Sequence, residues 1–439
     1  MGLMIKRYVL DIMKPLPIYP WIVWFIGATF FMIEYVARIS PAVMRKSLLS
    51  DFDISSGQFG SLSAIFQMVY IAMQLPVGIL TDRLGAGYLL GWSILVCALA
   101  SLGFSASESL FQAQLARFFM GLSGSFAFVC TLKLATTWFS QSRLGLLAGM
   151  TQIMGMIGGA SGSMVLPYGL QLYGWRYMMA MIALSLALVY IACCLFVCTD
   201  KTSQLGGTGW SRGERWYDSL LFVCQDKQTW INASIAGLIY LPTAVIGELW
   251  GPMFFEQVYG LTDGQAARAT GWIFVGWGVG GALNGWCSDW LLLRRPTLIV
   301  SAGCCVLLLL AILFSPSHSV YSLSLMCCIY GFFNTGVVTA YAVATELNPK
   351  KYTGTSIAFT NMISILYGVM YIPVFGYLLD YFWDGKQLQG DPIYALPLLY
   401  GAVLILPLAQ SLACYLSIYH LKETGCRSYE HRQDGSDVP

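Results

Sequence analysis

Charged side chains are scarce in this 439-residue chain: Asp, Glu, Lys and Arg together make up 10% of it. An ordinary soluble domain carries about 25%. Only three histidines are present, His318, His420 and His431, and none sits within an apolar run beside another ligand. A haem or di-metal membrane enzyme would have almost nothing to coordinate with, and no cofactor is expected. Cysteine is not scarce, at 13, but it lacks metal or redox spacing: Cys193–Cys194, Cys304–Cys305 and Cys327–Cys328 are adjacent pairs inside apolar runs. There they read as small packing residues. A net charge of +2 offers nucleic acid no basic surface. No polar segment is long enough for a soluble catalytic module, and the first apolar run lacks a small-residue cleavage site, so it reads as a retained helix.

What is abundant is apolar, at 57% of residues, with 45 Gly and 14 Trp. A membrane-crossing helix needs about 20 largely apolar residues, and twelve such runs fit. They cover 21–40, 58–80, 88–105, 110–138, 144–166, 175–197, 230–255, 270–290, 297–314, 320–345, 355–379 and 394–420. The expected fold is all-α and membrane-embedded, with two six-helix bundles at 1–198 and 230–420. A linker at 199–229 and a charged, disordered tail at 421–439 complete the chain. The linker is polar and Gly-containing, which reads as a flexible connector.

Two signals mark a duplication. Gly78 precedes Asp82 by four, followed by Arg83, in PVGILTDRLG; Gly285 precedes Asp289 by four in GWCSD, an offset of 207 residues from Asp82 to Asp289. RLG at Arg143–Gly145 and KKYTG at Lys350–Gly354 repeat at an offset of 209. Two markers at nearly one offset, close to half the chain, indicate two related halves.

Orientation follows from Lys and Arg. Segments after even-numbered runs, with both termini, hold sixteen of the 24; the opposite segments hold Arg45, Lys46, Arg176, Arg268 and Lys386. Arg38, Arg117 and Lys133 fall within runs. The bias places both termini in the cytoplasm.

PVGILTDRLG, with Arg117 and Gly121 in RFFMG, resembles the motifs of the major facilitator superfamily across nearly the whole chain. The basic residues usual after the loop motif are replaced by Ala86 and Gly87. Met154–Gly162 (MGMIGGASG) has the glycines of the antiporter signature without its proline, which argues against drug–proton antiport. Glu34–Met44 (EYVARISPAVM), Leu132–Phe139 (LKLATTWF) and Gly247–Phe255 (GELWGPMFF) are most similar to the intraphagosomal amino-acid transporter branch. Tyr35 with Arg38 is also similar to the Tyr-x-x-Arg of organic-anion symporters. The resemblance implies a monomeric secondary transporter of the bacterial inner membrane, with a small-molecule substrate and protons as its partners within the lipid bilayer. The expected activity is proton-coupled uptake of an amino acid or organic anion by alternating access; siderophore transport and efflux are the alternatives.

Ionisable groups at membrane depth are costly, so each needs a partner or a cavity. Glu34 and Arg38 lie at i, i+4 on one helix face, Arg117 in the fourth run and Glu248 in the seventh. All four are expected in the outer halves of their helices, facing the cavity that runs one, four, seven and ten line in the resembled fold. Lys133 lies 16 residues past Arg117, which turns it away from that face. Uncharged candidates are Gln67, Tyr70, Gln152, Asn284, Asn334, Tyr341 and Asn361. Gly78, Asp82, Arg83, Arg143, Asp289 and Glu346, at the cytoplasmic ends, form the expected gate latching the halves.

Overall fold

The computed structural model describes residues 18–139, 143–197, 216–291, 293–314, 319–349, 352–388 and 391–426. Each of the twelve apolar runs forms a helical span. Spans 1 to 6 are Tyr19–Phe52, Ser56–Leu84, Ala86–Ser105, Leu110–Trp138, Leu144–Met164 and Leu166–Phe196. Spans 7 to 12 are Lys227–Tyr259, Asp263–Leu291, Arg295–Phe314, Val320–Leu347, Thr353–Tyr381 and Leu396–Tyr419. Nine of these described helices are long and apolar enough to cross a membrane by composition alone; spans 2, 5 and 8 are the others. Several of their glycines, Gly60, Gly158 and Gly276 among them, lie against the backbone of other helices, where small residues let helices approach. Twelve crossings return the chain to its starting face, called here the terminal face; the other is the distal face.

Several boundaries depart from the sequence reading. Span 1 does not stop at Ser40 but continues to Phe52, where Asp53 ends it in a left-handed conformation. Glu34 therefore lies at the middle of the helix rather than in its outer half. Arg45 and Lys46, expected in a loop, are helical for the same reason. Gly174, at φ 76 and ψ 167, breaks span 6, so the long helix begins at Trp175 as expected. The linker is not wholly irregular: Trp216–Gln225 is a helix, while 198–215 lies outside the described residues.

The tail also begins in order. Glu423 accepts hydrogen bonds from the backbone N–H groups of Arg294 (2.9 Å) and Arg295 (2.8 Å), capping span 9, and Thr424 donates to Glu346 at 2.5 Å. An acid at a helix N-terminus meets unpaired donors and the positive end of the dipole. Residues 421–426 are thus pinned to the second half.

The halves meet along span 2 against span 11 and span 5 against span 8. At the distal face, Asp380 of span 11 caps span 2, accepting from Ser56 N at 2.9 Å and Gly57 N at 2.6 Å. Lys46 pairs with Glu256 (2.5 Å), Asp263 (2.8 Å) and Asp391 (3.6 Å). Half-exposed ion pairs contribute at most about 1 kcal/mol each. The cap is a charged group on two helix N–H donors, worth up to about 2 kcal/mol. Asp380→Ala and Lys46→Ala should therefore each loosen the distal closure, by comparable amounts. Spin labels at Gln58 and Tyr381, both exposed at that face, should report a longer, broader distance in Asp380→Ala. An unchanged distribution would remove the cap from the closure.

Candidate functional site

Span 7 is built to place one acid. It is α-helical over Lys227–Pro242, opens into a π-helix over Thr243–Trp250 and resumes as Gly251–Tyr259. Pro252 has no N–H to give the Glu248 carbonyl, and Gly251 N–H reaches Ile246 O, five residues back. The wider turn presents Glu248, 4% exposed, to the first half. Its Oε1 accepts from Tyr240 OH at 2.6 Å and from Tyr35 OH at 3.3 Å, and its Oε2 accepts from Gln67 Nε2. Two of those donors, on spans 1 and 2, come from the opposite half.

Beside it lies the pair on span 1. Arg38 donates to Glu34 Oε1 from Nη2 at 3.0 Å and Nε at 3.3 Å. The guanidinium lies 4.6 Å from the Tyr35 ring centroid, 4.7 Å from Tyr70 and 5.4 Å from Phe66, a three-ring cage suited to a planar cation. Glu34 is fully buried, and its second oxygen, Oε2, has no hydrogen-bond partner.

Arg117 has a different environment. Its Nη1 donates to Ala37 O at 2.9 Å, and its Nη2 donates to Arg38 O at 3.1 Å and Ser63 O at 3.5 Å, so it fastens span 4 to spans 1 and 2. Phe66 packs on its guanidinium at 4.7 Å. Gly121 and Gly124 follow on the same face. A Cβ at Gly121 would strike the Phe66 backbone, and one at Gly124 would come 2.8 Å from Glu34 Oε1. RFFMG is therefore the surface on which span 4 approaches the site.

The other candidates divide. Gln67 and Tyr70 belong to the cluster. Tyr341 OH donates to Asn361 Oδ1 at 2.8 Å, and Asn361 Nδ2 to Gln74 Oε1 at 3.3 Å, a bridge between the halves toward the terminal face. Asn334 sits within the second half, donating to Ile239 O (2.7 Å) and accepting from Thr243 (2.8 Å) and Trp277 (3.1 Å). Asn284 donates to Thr335 Oγ1 at 2.6 Å, where span 10 is interrupted. Gln152 is half-buried on span 5, away from these bonds.

Of the expected gate, Gly78 is half-buried and Arg143 exposed. The side chains of Asp82, Arg83 and Asp289 lie outside the described residues. Glu346, expected in the latch, accepts from Arg294 of its own half at 2.9 Å. Sequence reading passed over Tyr35 as a Glu248 donor and missed Tyr240, Phe66 and Gln74. For Tyr35, Phe66 and Gln74 the available signal was polar or aromatic character one helical turn from Arg38 or Tyr70; Tyr240, eight residues before Glu248, offered none.

The Major Facilitator Superfamily profile matches residues 23–372. The chain belongs to that superfamily. Its fold agrees: a bacterial homologue of the human lysosomal transporter Spinster, solved in an inward-facing, unoccupied conformation, superposes with a TM-score of 0.70 at 14% identity, covering 92% of this chain and 95% of that one. Among curated relatives, the Membrane sensor protein UhpC of Escherichia coli is 25% identical over 76% of this chain and 80% of its own length. The Probable sulfoacetate transporter SauU of Cupriavidus necator is 21% identical over 80% and 85%. The Probable L-galactonate transporter of E. coli is 22% identical over 63% of each. Membership and transporter-named relatives make this a multi-pass membrane transporter of small molecules, not an enzyme.

Proposed function

We propose that the chain is a proton-coupled secondary transporter that takes up a small organic anion by alternating access. The observation that carries this reading is the caged Arg38–Glu34 pair, buried where Glu248 of one half accepts hydrogen bonds from Tyr35 and Gln67 of the other. A cation there can read a carboxylate, and an acid beside it can carry the proton. Because the donors and Glu248 belong to different halves, occupancy of the site and rocking of the halves act on the same bonds. Two relatives are named for organic anions, galactonate and sulfoacetate, which favours an anion over the amino acid suggested by the Glu34–Met44 stretch. The chain sits in the bacterial inner membrane with both termini in the cytoplasm and acts as a monomer. Gly78, Asp82, Arg83, Arg143 and Asp289 close its cytoplasmic side.

Glu34 is the proton carrier in this scheme. A proton on Oε2 leaves both Arg38 bonds to Oε1 in place, whereas each Glu248 oxygen already accepts from a neutral donor.

The test is exchange of labelled L-galactonate, sulfoacetate and amino acids across proteoliposomes. The acid that exchanges should be displaced by other free carboxylates, while its methyl ester, which offers Arg38 no charge, should compete at least about tenfold less well. Equal competition by ester and acid would show that Arg38 does not read a carboxylate. The resemblance to a membrane sensor supports a second reading, in which the chain binds solute without moving it. Ligand-dependent thermal stabilisation without exchange would select that reading. Net extrusion would select efflux, the direction suggested by a 24% identical Quinolone resistance transporter of Acinetobacter baumannii.

A further inference from the structure

Among the described residues, the acids and bases buried at mid-membrane depth are two of each: Glu34, Glu248, Arg38 and Arg117. Arg45 and Glu346 are buried nearer the ends of their spans, Arg294 just before span 9, and Lys133 is half-buried near the end of span 4. The four midplane groups form one electrostatic unit. Arg38 holds Glu34 at 3.0 Å, Arg117 Nη2 bonds to the carbonyl of Arg38 at 3.1 Å, and Phe66 packs on both guanidinium groups. Tyr35 lies over Arg38 and donates to Glu248, joining the fourth group to the rest.

With both acids ionised, this unit carries no net charge. A buried unit of balanced charge is tolerated because each charge offsets the desolvation of another, and an added uncompensated charge finds no such offset. A bound monoanion adds one negative charge, and one proton removes it. A zwitterion adds none and brings no proton with it. The only unpartnered carboxylate oxygen in the unit among the described residues is Glu34 Oε2, a single place for a single proton. The titratable and charged groups facing Glu34 are Tyr35 and Arg38 on its own span, Arg117 of span 4, Glu248 of span 7 and Tyr70 of span 2. Cys97 of span 3 also interacts with it. No further cation among these would balance a second negative charge.

We infer that the midplane unit takes a singly charged carboxylate together with one proton, so that net transport is electroneutral. This rests on the proposed proton-coupled anion transport and adds to it the charge of the solute and the stoichiometry.

The experiment uses full-length protein in liposomes, with D-gluconate, L-galactonate and alanine as probes. Exchange is measured first, at equal pH and zero potential. A pH gradient or a potassium–valinomycin potential is then imposed separately, with proton flux read from an internal pH dye. The expected result is monoanion exchange, about tenfold accumulation per unit of pH gradient, one proton per anion, and no accumulation from potential alone. If potential did act on one net charge, 100 mV would give about fiftyfold accumulation, so the outcomes are well separated. Accumulation driven by an interior-negative potential would mean more than one proton, and by an interior-positive potential none; either overturns the inference while leaving transport itself intact. Alanine exchange without gluconate or galactonate exchange also overturns it. Failure of all three probes to exchange overturns the functional reading and the inference with it. Glu34→Gln supplies a readout that a purely structural role would not produce. It leaves the unit one positive charge in excess, so the monoanion should enter alone and follow an interior-positive potential instead of the pH gradient. A Glu34→Gln protein that still follows only the pH gradient would overturn the assignment of the proton.

Discussion

Glu34→Gln abolishes accumulation of substrate against a pH gradient and retains exchange: that is the largest functional effect expected of any single substitution. A two-unit gradient that supports about hundredfold accumulation in the native protein should support none in the variant. The reason is local. Gln keeps an oxygen for Arg38 to hold, as Glu34 Oε1 does over 3.0 Å, and keeps the volume that Gly124 leaves beside it. What it removes is the oxygen that can gain and lose a proton. Exchange needs the halves to rock but no net proton movement, so it survives. Glu248→Gln is the comparison. Its carboxylate is held by Tyr240, Tyr35 and Gln67, neutral donors that an amide oxygen partly satisfies, so coupling should persist at a lower rate. Accumulation assays on both variants decide the matter. If Glu248→Gln alone loses coupling, the proton belongs to span 7.

Arg117→Ala is expected to have the largest effect on stability. The sequence reading grouped Arg117 with Arg38 among the charges facing the cavity, but the two guanidinium groups are differently occupied. That of Arg38 is bonded to an acid and caged by rings; the two Nη groups of Arg117 donate to three backbone carbonyls, Ala37, Arg38 and Ser63. Removing it strips those carbonyls of a charged donor and leaves the buried Glu34 with less compensation. Breaking a buried charge arrangement by deleting one partner costs about 3–5 kcal/mol, a large share of the 5–15 kcal/mol that holds a typical domain together. Arg117→Lys should rescue little, because a single ammonium cannot span two adjacent carbonyls as the planar fork does. Thermal unfolding followed by size-exclusion chromatography should show aggregated or markedly less stable protein for both. A Lys variant with native stability and no transport would instead make Arg117 a direct reader of the solute.

Composition alone was enough to settle a membrane protein of twelve spans. A chain with 10% charged residues and runs of about 20 apolar ones has no other way to satisfy its backbone than helices packed on one another. The duplicated Gly-x-x-x-Asp signals carried the two-half architecture, since each half repeats the same signal at the end of its second helix. The list of midplane charges was legible too, because an ionisable residue inside an apolar run is conspicuous wherever it points. Their partners were not. Helical spacing paired Glu34 with Arg38, one turn apart, but nothing along the chain says that Glu248 meets Tyr35 and Gln67, 213 and 181 residues away. Those bonds exist because the halves close on each other and because a π-turn before Pro252 rotates span 7. The same distinction separates Arg117, a charge visible in the sequence, from the carbonyls that occupy it, which only the approach of span 4 along Gly121 and Gly124 brings within reach. Glu346 and Asp380 look alike as acids at helix ends. Packing decides that the first accepts from Arg294 beside it and that the second caps span 2 across the halves. Hydrophobicity and local spacing act within one helix and can be read in order; pairing between helices depends on how whole surfaces fit, and that is settled only when the tertiary structure forms.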